Sequence, residues 1–343
     1  MIQRRSLIRV AAPLAAAVAL PRYLYAQGAY KAEYRMSTVV PPAFAWGKGG
    51  EIFANLVRER TAGRINIKQY PGASLVQGDQ TRELAAARQD IIDVLCGAPI
   101  NWSGTVRECG AFALPFLMPD HKAYDAVIQS DAVQKDFFDI IRKAGAEPLA
   151  VGETGYRQLS NSKRAVRKPE DLKGLKVRIV ASPMYQEIMS GMGANPTAMS
   201  WADAQPALAS GAVDGQENPM ELFLGLKVHT LGQKFVTKWN YSNDPLLIAI
   251  ANPIWQSWSP QDQKIVREAA IDAARENIRT VREYFAKDVE AVRALGVDVT
   301  VPTAAEMEQW QIACRRPYAR WKAQINPGLI SKFEEVVART RKA

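Results

Sequence analysis

The chain has 343 residues, 48% of them hydrophobic and 23% charged, with a formal net charge of +9. Its length exceeds what one hydrophobic core usually supports and points to two lobes. Four arginines (Arg4, Arg5, Arg9, Arg22) precede Gln27 with no acid among them, so the remainder carries about +5, too mild a balance and too free of basic runs interleaved with aromatics for a nucleic-acid binder.

Residues 1–26 pair those arginines with an apolar run from Val10 to Leu20 and a small-residue exit at Ala26, the layout of a secretory signal. The run is shorter than the roughly 20 residues that span a bilayer. Arg4-Arg5 followed by Ser6, Leu7 and Ile8 resembles a twin-arginine export signal, although Leu7 stands where that signal prefers phenylalanine, and general export stays open. No cysteine follows the run until Cys96, which leaves no lipid attachment point there. The expectation is a periplasmic protein that is not itself embedded in the membrane.

Beyond the leader, short strands alternate with helices. A strand over 32–40 ends at Pro41-Pro42, a helix over 44–64 stops near Gly63, and a strand over 65–71 ends at Pro71. A helix over 78–90 then leads to a short apolar strand over 91–99. This βαβαβ rhythm requires a helix-flanked, mostly parallel sheet. A second unit begins at Ala146 and repeats the logic through the strand Lys176–Val180 to Gln216. Further on, Ser259 as N-cap, Pro260 at the first helical position and Gly296 as a stop predict one helix over 261–295 with nothing to break it. At 1.5 Å per residue it spans roughly 50 Å and touches both lobes; a coiled-coil seam is the alternative, but its apolar positions are not strict heptads.

Three cysteines are an odd number, so at least one stays free. His121 and His229 lack zinc spacing and no CxxC occurs, so neither metal nor other cofactor is expected. The chain carries no GxSxG, P-loop or HExxH, and "GMGANP" departs from GxGxxG after its second glycine; an enzyme is disfavoured.

Four stretches in order, "LVRERTAGRINIKQYPGASL", "ALPFLMPD", "GYRQLSNSKRAVRKPEDLKGLKVRI" and "GANPTAMSWADAQPALASGAVDGQENP", resemble the DctP-type solute-binding subunits of tripartite ATP-independent periplasmic (TRAP) transporters over essentially the whole mature chain. The resemblance implies a two-lobed α/β periplasmic-binding-protein fold, with lobe I over 30–154 plus about 244–283 and lobe II over 155–243 plus about 284–335, joined by a hinge and a long helix. It also implies a small organic acid as ligand and a separate permease, of small and large membrane subunits, as partner. Carried over residue by residue, Arg178 matches the arginine that pairs with the ligand carboxylate, Arg157 a second cleft arginine, and Asn218 an amide that orients the carboxylate. Trp201 falls where the family often places a pocket aromatic. Asn240-Tyr241 replaces the usual His-Tyr, so the contact expected at Tyr241 differs, and the loop over 77–81 is longer than usual, leaving Gln80 as the lobe I candidate. A sensor that presents its ligand to a receptor would need the same cleft.

The residue types suit the task. A carboxylate leaving water must regain comparable hydrogen bonds, and arginine offers two parallel donors on a fork that stays charged. Arg178 ends a short apolar strand, where open α/β sheets place their ligands.

Overall fold

The structure, a computed structural model, describes residues 30–341; the expected export signal lies outside them. Ten strands form the sheet framework: β1 (Tyr34–Ser37), β2 (Ile67–Tyr70), β3 (Val94–Gly97), β4 (Ala146–Asn161), β5 (Lys176–Ile179), β6 (Asn195–Ala198), β7 (Gly215–Pro219), β8 (Phe235–Thr237), β9 (Asn243–Ala251) and β10 (Asp298–Thr300). The hydrogen-bonded path is β2-β1-β3-β9-β4-β7-β5-β6, with β8 branching from β4 and carrying β10.

Both ends of this path are parallel: β1 pairs β2 and β3, while β5 pairs β6 and β7. Between them β9 and β4 run antiparallel to each other and to their outer neighbours. The result is two helix-flanked lobes, as the alternating pattern predicts, sharing β4. All sixteen residues of β4 are buried. Its first part pairs with β9 and its last part with β7 and β8.

Five helices position the site: α1 (Ala45–Arg60), α2 (Trp201–Ser210), α3 (Met220–Gly225), α4 (Pro260–Phe285) and α5 (Asp288–Ala294). Helix α4 starts as its sequence dictates, with Ser259 Oγ accepting the Asp262 N–H at 3.1 Å and Pro260 at the first position. Its alanine-rich face (Ala269, Ala270, Ala273, Ala274) is buried and lets the helix lie close to α1 and β4. Within that face Asn277 accepts the Glu153 N–H at 2.8 Å and donates to Ala45 O at 3.0 Å. A Cβ on Gly152 would stand 2.3 Å from Asn277 Oδ1, so only glycine admits this clasp.

The single helix expected over 261–295 is broken. Helix α4 ends at Phe285, Lys287 leaves helical geometry at φ −122° and ψ 0°, and α5 starts afresh at Asp288. Neither glycine nor proline causes the break. The Phe285 ring lies 4.8 Å from His121 and 5.7 Å from Tyr156, and the Lys238 ammonium sits 4.1 Å from its centroid while pairing with Asp288 at 2.6 Å. Tertiary anchors on both sides of the kink outweigh local helix propensity. Even so, 26 residues make α4 about 39 Å long, and it packs against α1, β4 and α3, elements of both lobes.

All three cysteines are free and buried, and burial pushes their thiols above the ordinary range.

Candidate functional site

A cavity of about 30 Å³ lies between the two lobes. Val39, Val40, Trp46, Gln80, Ala98 and Asn101 line it from the β1–β3 side, and Arg157, Arg178, Val180, Trp201, Asn218 and Leu222 from the other. Five of the six residues expected at the site therefore meet on one surface. A second space of about 190 Å³ shares Val39, Val40 and Trp201 and adds Gly72, Gly78 and Leu226.

Arg178 lies on β5, between β6 and β7, and is only 1% exposed. Its Nη2 and Nε both donate to Met199 O, at 2.8 and 3.2 Å, and its guanidinium carbon is 5.5 Å from the centre of a Trp201 ring. Among the described residues it forms no salt bridge. Burial lowers its pKa to about 10, and the Arg157 charge adds to the fall while Glu217 opposes it; the group remains protonated at neutral pH. It is a buried cation whose donors meet one carbonyl and, among the described residues, no carboxylate, a costly state for a charge without a counter-ion.

Arg157 has a different environment. Its Nη1 donates to Asp244 Oδ2 at 2.6 Å, its Nη2 to Glu217 Oε1 at 2.8 Å and Glu217 O at 2.7 Å, and its Nε to Glu217 Oε2. Burial alone would lower its pKa, but the two carboxylates outweigh that and raise it. The residues come from three neighbouring antiparallel strands, β9, β4 and β7, so Arg157 ties the lobe junction together. It reaches the site through Asn218, whose Oδ1 accepts from its Nη2 at 3.2 Å. Asn218 also donates to Gln216 Oε1, which fixes the amide orientation.

Trp201 opens α2 after Ser200, whose Oγ accepts the Asp203 N–H at 3.1 Å. Its own backbone N–H donates across the cleft to Gln80 Oε1 at 3.3 Å. Gln80 begins a turn held by Asp79, whose carboxylate accepts the Thr81 N–H at 3.1 Å. The loop over 77–81 thus brings a side chain from lobe I to the helix start of lobe II.

Tyr241 does not line the cavity. It is fully buried behind it, 5.8 Å from the Tyr185 ring and 5.6 Å from Trp239, and its hydroxyl has no hydrogen-bond partner among the described residues. Asn240 has turned its own side chain to Gln158 Nε2, at 2.7 Å.

Two residues of the site, Asn101 and Glu83, escape the sequence; a third, Trp46, is among the aromatics (Phe44, Trp46, Trp102, Tyr156, Tyr241) that the sequence places at loops or strand ends as candidates for the cleft wall. Asn101 is 4% exposed, and its side-chain amide makes no hydrogen bond to the described residues. Its place just beyond the carboxyl end of the buried strand β3 is the signal that would have found it. Trp46 donates its indole N–H to Cys96 O at 2.8 Å and presents its ring to the cavity. Beneath this wall, Glu83 is buried between Ser37 Oγ at 2.7 Å and Trp102 Nε1 at 3.2 Å; burial pushes its carboxyl up to about 7 against those two donors.

No helix among the described residues is long and apolar enough to cross a membrane. The sequence profile of DctP, bacterial extracellular solute-binding protein family 7, matches residues 36–324. A solved TRAP periplasmic solute-binding protein from Ralstonia eutropha H16, with bound (S)-2-acetolactate, is 54% identical, with 90% of this chain and 100% of that one covered at a TM-score of 0.89. Another from Bordetella bronchiseptica, with density assigned to pantoate, is 25% identical over 89% of this chain and 99% of that one at 0.82. The 2,3-diketo-L-gulonate-binding periplasmic protein of Escherichia coli K12 is 29% identical over 72% of this chain and 74% of its own. The two-lobed fold, the cavity between the lobes and these matches agree: the chain belongs to the DctP family of bacterial extracellular solute-binding proteins.

Proposed function

We propose that this protein is a periplasmic receptor that holds a compact monocarboxylate between its lobes and hands it, chemically unchanged, to a TRAP permease. The lobes divide near 154/155, 243/244 and 283/284, where β4 passes from β9 to β7 and α4 nears its end. The observation that carries the reading is Arg178, a buried guanidinium on the cavity wall without a carboxylate partner. Arg178 binds the ligand carboxylate, Asn218 orients it, and Trp201 covers the guanidinium face.

Charge selects the class of acid. Glu217 and Asp244 already answer Arg157, so Arg178 is the one guanidinium of the two left to an incoming anion. A second carboxylate would lose its hydration without gaining a cation, at a cost of several kcal/mol. The amides of Asn101 and Gln80 suit hydroxyl or keto oxygens, while Val39, Val40, Val180 and Leu222 suit methyl groups. A short 2-hydroxy or keto acid with a branched carbon fits that wall, and the acetolactate bound by the Ralstonia relative is of this kind.

Thermal-shift and calorimetric titrations with acetolactate, pantoate and succinate test the reading, since a ligand specific to the folded state raises apparent stability with occupancy. Acetolactate or pantoate is expected to shift the melting temperature and succinate to leave it unchanged. Arg178→Ala should weaken binding at least about a hundredfold, the scale of losing a buried charge-assisted pair. Undiminished binding by that variant would remove Arg178 from its role, and equal binding of succinate would refute the charge argument.

A further inference from the structure

We propose that Phe44 and Ala45 of lobe I, with Glu221 and Gly225 of lobe II, form a latch that sets how long a bound acid is retained. This rests on the reading that the acid binds between the lobes. The Ala45–Glu221 contact lies beside the cavity: Ala45 precedes Trp46, and Glu221 precedes Leu222, and both followers line the cavity.

Helix α1 begins without a cap of its own. Phe44 at its N-cap supplies no side-chain acceptor, and its first turn contains no acid. The start of a helix presents unsatisfied N–H groups and a partial positive charge. Glu221 meets both needs from the opposite lobe, its Oε1 accepting the Ala45 N–H at 2.6 Å while the residue is 7% exposed. Its carboxyl is pushed up to about 7 by burial, against the pull of the Ala45 N–H. The contact is therefore held against a strong tendency to rehydrate, as a releasable latch requires.

Shape provides the second observation. A Cβ on Gly225 would stand 2.3 Å from a Phe44 ring carbon. Gly225 is the last residue of α3 and is not among the positive-φ glycines, so its own backbone would admit alanine. The missing side chain is required by the ring of the other lobe. Only contacts that differ between open and shut forms can shift their balance, and the latch requires this hydrogen bond and ring contact, both made from one lobe to the other, to be lost when the lobes part.

Stopped-flow binding with acetolactate as probe is the test. Glu221→Ala and Gly225→Ala should each raise the dissociation rate about tenfold with association nearly unchanged, and with the melting temperature of the unliganded protein preserved. Adding Phe44→Ala to Gly225→Ala removes the ring that the new methyl would strike, yet it should leave dissociation faster than in the parent protein, because the ring contact is itself part of the latch; a merely structural clash would be fully rescued this way. Spin labels at exposed Glu59 and Lys173 provide a readout that needs no acid, with the variants shifted towards longer interlobe distances than the parent protein. If the parent binds no acid yet the distances shift, the ligand assignment fails and the latch stands. Unchanged distances together with unchanged dissociation rates would overturn the latch.

Discussion

Two buried arginines, twenty-one residues apart and both on sheet strands, have opposite surroundings. Arg157 is enclosed by Glu217 and Asp244, which raise its pKa, whereas Arg178 rests on one carbonyl and an indole face, and burial lowers its pKa to about 10. A charge whose partners belong to the protein holds strands together. A charge without them is a candidate site. The difference shows why burial of a basic residue is not by itself a functional sign: its partners decide.

The comparison can be broken most forcefully at Arg157. Arg157→Met would leave two buried carboxylates without a counter-charge, and denaturant titration should show a loss of about 3–5 kcal/mol. Arg178→Met in the same titration should leave the unliganded protein as stable as before, or more so. Equal losses would mean that Arg178 is structural as well.

Glu83 sharpens the contrast as the acidic counterpart of Arg178, a buried charge with hydrogen-bond donors but no ion pair. Its folded pKa is raised from 4.5 to about 7, so the folded state prefers the proton. The associated stability is complete below about pH 4.5 and is lost as pH rises through about 7, in all about 3 kcal/mol for this shift. Glu83→Gln cannot titrate. Its stability profile should be flatter across that window, and its advantage over the parent protein should appear at pH 8. A profile that stays parallel to the parent's would show that Glu83 does not titrate there.

The smallest effect is expected at Trp201. Trp201→Leu retains an apolar wall and the helix N–H to Gln80 but removes the ring facing Arg178, worth roughly 1 kcal/mol. Affinity for the acid should fall about fivefold in calorimetry, with little change in melting temperature. A loss as large as that of Arg178→Ala would give the indole a direct role in holding the ligand.

Much of this arrangement was readable from the chain. The alternation of strands and helices gave two α/β lobes, and Ser259-Pro260 marked the start of α4 at its actual position. Resemblance to a transporter family singled out Arg178, Asn218, Trp201 and Gln80, which share one cavity. What stayed hidden depends on distant partners. The break after Phe285 comes from His121, Tyr156 and Lys238, all more than forty residues away in sequence. Nothing local to Arg157 announces that Glu217 and Asp244 enclose it. Tyr241 fails as a wall residue because Trp239 and Tyr185 hold it in the interior. Asn101 has no motif, only a position after β3.

Because β4 closes the sheet of one lobe along its first stretch, where it pairs with β9, and lies between β7 and β8 of the other along its last, neither lobe owns a complete sheet. Melting one half strips a neighbour from the other, so the two lobes must survive or collapse together.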